Sequence, residues 1–267
     1  MVNLNYSQIK SQMMAQRYAS VHFPLSSVEL AMAVDDFLAF TDISDTLKHQ
    51  FTSIKINPDD RGSDVGYMKR QQIKGALDEK EIFHYNEYFP HLFANNPALE
   101  NPIVDSFLSS AQKVYLSAKA CMEEIICEFE PHFPGVYTSF FPQGQLPHLY
   151  LRFLKYSTQR EDTFLAKGHY DRGACTLALA ESGPGLRIGS TPLDLREVEH
   201  QDQTAFFFAG TQFAEIITQE FAAAWHDVVQ KSEYKLNHMT ARWAMVFFAD
   251  QYNGRITTFE ENHRPRE

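Results

Sequence analysis

The sequence predicts a mixed α and β fold: a double-stranded β-helix (jelly-roll) core with a helical N-terminal section and a long buttressing helix. Three observations predict it. From Leu149 onward the apolar segments are short, aromatic or β-branched and punctuated by glycine, as two packed antiparallel layers require. Before them, Asn101-Pro102 offers a cap and a first-turn proline for a long helix, on which Ile103, Phe107, Ala111, Val114, Ala118, Cys121, Ile125 and Phe129 form one stripe. Earlier still, Ser26-Ser27-Val28-Glu29 has the form of a capping box, and Leu30, Val34, Phe37 and Leu38 follow at helical spacing.

The first half therefore reads as mostly helical, and the stripe on the long helix reads as core. Pro131 to Pro147, with Pro134-Gly135 and Gln143-Gly144, is loop and short-strand territory leading into the β region. Next, Gly183-Pro184-Gly185-Leu186-Arg187-Ile188 predicts a turn and a short strand, and Ala205 to Thr211 a buried strand ending in a glycine turn. At 267 residues and 44% hydrophobic, the chain is long enough to bury a substantial core. The expectation is one integrated domain, with a helical or mixed section over 1–100 and the long helix plus catalytic jelly roll over 101–267.

Composition excludes several classes. No run is long enough to span a bilayer, and Met1 to Ser20 is polar and broken by charges, unlike a secretory signal, so the expected home is the cytoplasm. Cys121, Cys127 and Cys175 are odd in number and lack zinc-like spacing; they read as reduced thiols packed in the core. A net charge of −10 argues against a nucleic-acid partner, because phosphate contacts need an excess of lysine and arginine.

The chemistry is concentrated in His169-Tyr170-Asp171, followed by His226 after 226 − 171 = 55 residues. A strand has a side-chain period of two, so His169 and Asp171 project from one face and can grip one ion together. Two imidazoles and one carboxylate on one side of Fe(II) leave the opposite positions open for substrate and dioxygen. The alternatives are a surface turn for His169 and Asp171 and a satisfied core histidine for His226. A second His-x-Asp, His200-Gln201-Asp202, lies in the polar stretch Leu195 to Gln203 and reads as a solvated loop. Arg242, among apolar neighbours, needs a partner to offset its desolvation. That partner is either a ligand carboxylate held through two parallel hydrogen bonds or one of the chain's own acids.

Taken together, the ligand pair and the strand after it, Gly185-Leu186, the Phe-rich strand ending at Gly210, His226, and Arg242-Trp243-Ala244 leading into Phe247-Phe248-Ala249-Asp250 carry a resemblance. Gly66-Tyr67, Gly75, Asp78, Lys80-Glu81 and Phe83 extend it upstream. The chain resembles the Fe(II)/2-oxoglutarate-dependent oxygenases, specifically the branch that includes isopenicillin N synthase. The resemblance implies an enzyme, a dioxygenase, in which His169, Asp171 and His226 hold Fe(II), 2-oxoglutarate is the cosubstrate, O2 is the oxidant and a small molecule is oxidised. It implies that Arg242 grips the far carboxylate of 2-oxoglutarate, with a contact from Tyr156. The family's serine two residues after the arginine is Ala244 here, its Asn-Tyr-Tyr is Leu154-Lys155-Tyr156, and Thr240 is the candidate for the missing hydroxyl. The gap from His226 to Arg242 is 242 − 226 = 16 residues, longer than is usual, with Lys231 to Asn237 reading as an enlarged hairpin loop.

Asp171 favours hydroxylation, desaturation or ring closure, because halogenating relatives carry a small residue at that position. Two other readings stay open: an iron oxidase of the same fold that needs no oxo-acid, and a non-catalytic metal-binding scaffold. For the substrate pocket the candidates are Tyr67, Lys69, Arg70, Phe208 and Phe213, with Lys69-Arg70 either a carboxylate-binding cluster or an exposed charged turn.

Overall fold

Asparagine and serine caps set the helices. The computed structural model describes residues 4–56, 64–70, 80–156, 164–229 and 242–251. Helix α1 spans Tyr6–Gln16 and α2 spans Ser27–Asp42; the expected Ser26/Glu29 capping box is present on α2, and Asn5/Gln8 forms another on α1. Short helices α3 (Asp45–His49) and α4 (Phe89–Leu92) follow. The long helix, α5, is Pro102–Phe129, with the Asn101 side chain accepting from the amides of Ile103 and Val104. Its buried stripe begins at Val104; Ile103, placed on the stripe by spacing, is 41% exposed because it sits one residue off the packed face in the first turn. Two further short helices, α6 (Val136–Phe140) and α7 (Phe213–Ile216), complete the set, α6 replacing the short strand expected before Pro147.

The strands are β1 (Ala19–His22), β2 (Ile54–Lys55), β3 (Asp64–Arg70), β4 (Lys80–Tyr85), β5 (Leu149–Tyr156), β6 (Phe164–His169), β7 (Cys175–Glu181), β8 (Leu186–Gly189), β9 (Arg196–Glu197), β10 (Thr204–Ala209), β11 (Trp225–Val229) and β12 (Arg242–Ala249). Among the described residues they pair antiparallel into a large sheet, β1-β10-β7-β12-β5-β4-β3-β2, and a small one, β6-β11-β8-β9. This is the expected jelly roll. The first 85 residues are less helical than their composition implied, for β1 to β4 extend both sides of the large sheet. Of these, β1 and β2 span only four and two residues, too short to show alternation.

The large sheet's period of two divides its side chains between two cores. Leu151, Phe153, Leu177, Phe207 and Phe247 face outward and join α2 and α5 in the main core. Leu154, Tyr156, Ala178, Phe206 and Phe208 face inward and meet Leu186, Ile188 and Val228 of the small sheet, so a second core lines the barrel. Cys121 and Cys175 are buried as expected, whereas Cys127 is exposed, on the solvent side of α5. No helix among the described residues is long and apolar enough to cross a membrane.

Phe107 is the centre of the main core, in ring contact with Phe37, Phe40, Phe83 and Phe153 and fully buried. Phe107→Ala is expected to cost about 3–5 kcal/mol of unfolding free energy through lost burial and the cavity left behind. Urea unfolding followed by circular dichroism measures it.

Candidate metal centre

Register brings the two histidines together. β11 runs antiparallel to β6 with His226 directly opposite His169, and the ring centroids are 4.3 Å apart. β6 ends at His169, so Asp171 lies in the turn beyond it and not on the strand. The alternation nevertheless persists. Tyr170 turns the other way, packing edge-on against Trp225 at 4.9 Å and donating to the carbonyl of Ser190, while Asp171 stays on the His169 side. Asp171 Oδ1 lies 3.6 Å from His169 Nε2 and 3.7 Å from His226 Nε2.

The turn that places Asp171 is held by close backbone approach. Thr211 donates its amide to the Asp171 carbonyl, Gly210 to that of Ala174 and Gln212 to that of Gly173. A Cβ on Gly210 would collide with the Gly173 carbonyl oxygen and stand 3.0 Å from that of Asp171, so a side chain there would push the turn away. The glycine turn after the Phe-rich strand is therefore a seat for the carboxylate ligand. On the other side, Arg187 holds the buried Asp227 through two parallel bonds of 2.7 and 2.6 Å, pinning β8 to β11 next to His226.

The hydrogen bonds around the triad tie one polar atom of each residue to the protein. His169 Nδ1 faces the Lys167 carbonyl at 2.7 Å and His226 Nδ1 that of Ala224 at 3.3 Å. Both contacts favour the tautomer whose Nε2 carries a lone pair. Thr176 donates to Asp171 Oδ2 at 2.6 Å, leaving Oδ1 directed at the histidines. Burial pushes His226 down to about 4, outweighing the attraction of Asp171, so its ring is neutral at physiological pH. Burial alone would raise Asp171, but His226, His169 and Thr176 together hold it well below the usual carboxylate range. One ionised carboxylate and a neutral imidazole are the forms that bind metal.

The ligand atoms of His169, Asp171 and His226 lie within 4.8 Å of one another. Donors at a right angle around an ion with bonds of about 2.1 Å stand about 3.0 Å apart, and opposite donors about 4.2 Å. The spacings of 3.6 and 3.7 Å fall between these limits, so the residues fit a divalent metal with small side-chain adjustments.

The other expected site residues separate. Arg242 opens β12 opposite Tyr156, and both are buried facing the barrel interior. Arg242 donates to Glu181 Oε2 at 2.6 Å and to the Gly183 carbonyl, so the internal ion pair is formed. Ala244 is directly opposite Leu154 on one side and Glu181 on the other. The two departures from the family pattern are thus a matched apolar pair across one rung, and the polar partner of Arg242 comes from β7. Thr240, the 231–237 loop, Gly75 and Asp78 fall outside the described residues. His200 is not the solvated decoy its polar surroundings implied. Its Nε2 lies 3.1 Å from the Ala178 carbonyl and its ring 4.7 Å from Phe206, while Asp202 points away to accept from the Ser27 amide at 2.6 Å. Among the pocket candidates, Tyr67 and Phe213 are buried in the main core, and Lys69 and Arg70 are exposed on β3. Phe208 lies beside the metal site, 5.0 Å from the His226 ring.

Sequence reasoning missed Thr176 and Glu181. Their signal was a hydroxyl inside an otherwise apolar strand and an acid at its end.

Comparison with solved structures gives the same fold. The chain is similar to a Caulobacter crescentus protein assigned to the 2OG-Fe(II) oxygenase family (TM-score 0.70, 19% identity, 95% of this chain and 84% of the other). It is also similar to a full-length Neurospora crassa protein in complex with α-ketoglutarate and thymine (TM-score 0.67, 15% identity, 96% and 85%). A third is the Arabidopsis thaliana dioxygenase for auxin oxidation 1 with 2-oxoglutarate (TM-score 0.69, 14% identity, 92% and 87%). No family model matches the sequence, and no curated protein matches it. The fold is that of the 2-oxoglutarate and Fe(II) oxygenases.

Thr176→Val removes the hydroxyl that orients Asp171 while keeping the side chain's shape. It is expected to lower divalent-metal affinity about 10–100-fold with an unchanged circular dichroism spectrum. Titration with Co(II) or Fe(II) under argon, followed by quenching of Trp225, measures this.

Proposed function

We propose that the protein is a non-haem Fe(II) dioxygenase that couples decarboxylation of 2-oxoglutarate to hydroxylation or a related oxidation of a small molecule. The observation that carries this reading is the convergence of His169 Nε2, His226 Nε2 and Asp171 Oδ1, each with its other polar atom tied to the protein. The ligands bound in the Neurospora crassa protein and in the auxin dioxygenase, both of this fold, support it. When bound, iron and the oxo-acid supply the activation of dioxygen, with succinate and carbon dioxide as co-products.

The chain's own contribution is positioning. His169, Asp171 and His226 would hold the metal, and a set of only three protein ligands would leave it open to other ligands. Phe208 and the apolar inner core exclude water from the site. Arg242 and Tyr156 are the proposed contacts for the oxo-acid's far carboxylate. The distance suits a short dicarboxylate: the Val229 carbonyl and the Arg242 guanidinium both crowd Gly185, and Val229 is three residues along β11 from His226, about 10 Å.

For that contact to form, Glu181 must give way, since two carboxylates on one buried guanidinium repel. The neighbourhood supplies an exit. Glu181 Oε1, His200 Nδ1 and Arg242 Nε are buried without hydrogen-bond partners, and His200 Nδ1 is 3.8 Å from Glu181 Oε1. A small rotation of Glu181 toward His200 Nδ1 would free Arg242. The same ion pair, with Ala244 and Leu154 where the family has polar groups, favours a second reading in which the oxidation proceeds without an oxo-acid. Cysteine usage supports the cytoplasm as the compartment.

Under argon, Fe(II) followed by 2-oxoglutarate is expected to produce a visible charge-transfer band, and turnover in air to yield succinate. Turnover without succinate would select the second reading; absence of metal binding would overturn both.

Glu181→Gln keeps the side chain's volume and removes the competing charge. It is expected to lower the half-saturating 2-oxoglutarate concentration about ten-fold, equivalent to about 1.4 kcal/mol. Titration of the same optical band reads it.

A further inference from the structure

The inner face of the large sheet carries cations beyond Arg242: Lys80 and Arg70 lie toward its β3–β4 edge, and Arg152 lies nearer its middle. Arg152 lies on β5, two residues from Tyr150 and directly opposite Val246 and His84, on the face that also presents Leu154 and Tyr156 to the barrel interior. It is half-buried. Its Nε donates to His84 Nε2 at 2.7 Å, and its guanidinium lies over the rings of Phe248 at 4.6 Å and Tyr150 at 5.8 Å. Among the described residues no carboxylate is within ion-pairing distance of it, in a chain with 34 acidic and 24 basic residues. The aromatic faces offset part of the desolvation of the guanidinium, but its terminal nitrogens make no hydrogen bond there.

Its place relative to the metal centre follows from the pairing. Phe248 is directly opposite Thr176, the residue that orients Asp171, and directly opposite Tyr150 on the other side. Arg152 is therefore two strands and two residues from Thr176, about 12 Å between Cα atoms. Lying over Phe248, its guanidinium leans back toward the metal end. Between them lies the Phe248 ring, and Phe208 stands beyond Thr176 on β10, beside His226. A fork of free donors at one end, an apolar wall and a metal at the other define what fits.

Resting on the oxygenase reading of the metal centre, we propose that Arg152 anchors the carboxylate of the oxidised substrate, a small organic acid with an apolar body of several carbons. The carboxylate docks on the guanidinium and the body lies along Phe248, which brings a carbon remote from the acid group to the metal, with Phe208 as the wall beyond it. Arg242, six residues along β12 from Phe248 and already matched to Glu181, serves a different carboxylate.

The test uses the full chain loaded with Zn(II) and saturated with 2-oxoglutarate, titrated calorimetrically with ω-phenyl alkanoates of two to five carbons and with the corresponding amides. At one chain length at least, the acid is expected to bind ten-fold or more tightly than its amide. Arg152→Gln should bring the acid down to the level of the amide, change amide affinity less than two-fold and leave 2-oxoglutarate affinity unchanged; Arg152→Lys should retain part of the preference. Equal affinity for acid and amide, no binding of either series, or a preference that survives in Arg152→Gln would overturn the proposal. Loss of 2-oxoglutarate binding in Arg152→Gln would overturn it too, by making Arg152 the oxo-acid's anchor. Repeating the titrations without metal separates the two readings: failure of Zn(II) or 2-oxoglutarate to bind sinks the oxygenase reading, whereas the acid and amide comparison still decides the role of Arg152.

Discussion

A slip of one residue between β6 and β11 would turn His226 from the barrel interior to its outer side, where Trp225 now packs against Tyr170. The site depends on that register, and several separate contacts hold it. Trp225 lies so close to Gly168 that a Cβ there would stand 2.7 Å from the indole, so the strands mesh at that point in one way. The Arg187 and Asp227 pair fixes the other edge of β11 to β8. With both neighbours locked, His226 has little freedom left, and the turn from Tyr170 to Gly173 needs only to hold Asp171 at the correct height.

The barrel interior then has charges at its margins and hydrocarbon between them. Asp171 stands with His169 and His226 at one end, Arg242 with Glu181 and His200 at another, and Arg152 along a third wall. Low polarity between these groups strengthens each interaction with a ligand and raises the cost of leaving any of them unmatched. Arg242 meets that cost with an internal acid and Arg152 with aromatic rings, and the two solutions differ in what they leave available. An internal ion pair must be broken before a ligand enters, whereas a cation on aromatic faces keeps its hydrogen-bond donors for the ligand.

The jelly roll, the cap of α2, the extent of α5 and the three metal-ligand candidates were legible in the sequence because each rests on local pattern: a capping box, a first-turn proline, a period of two around Tyr170. What was illegible depends on partners distant in sequence. Glu181 and Arg242 are 61 residues apart, and only the bulged pairing of β7 with β12 brings the acid round to the inner face. His200 sits in a polar stretch that looks solvated, yet its ring turns inward onto Ala178 while Asp202 turns outward to Ser27. Arg152 and the exposed pair Lys69 and Arg70 are indistinguishable as letters; burial separates them, and burial is a property of the assembled sheet.

The position of β1 has a consequence for handling the protein. Ala19 to His22 cover the free edge of β10, pairing residue for residue with Thr204 to Phe207. Beneath that cover lies the Phe-rich strand, with Phe206, Phe207 and Phe208 in succession and no proline or charge to discourage intermolecular strand addition. A version trimmed at its amino terminus to leave a tidier catalytic barrel would bare this edge, and self-association into insoluble aggregates would follow. Ala19 to His22 thus act as a built-in guard on solubility.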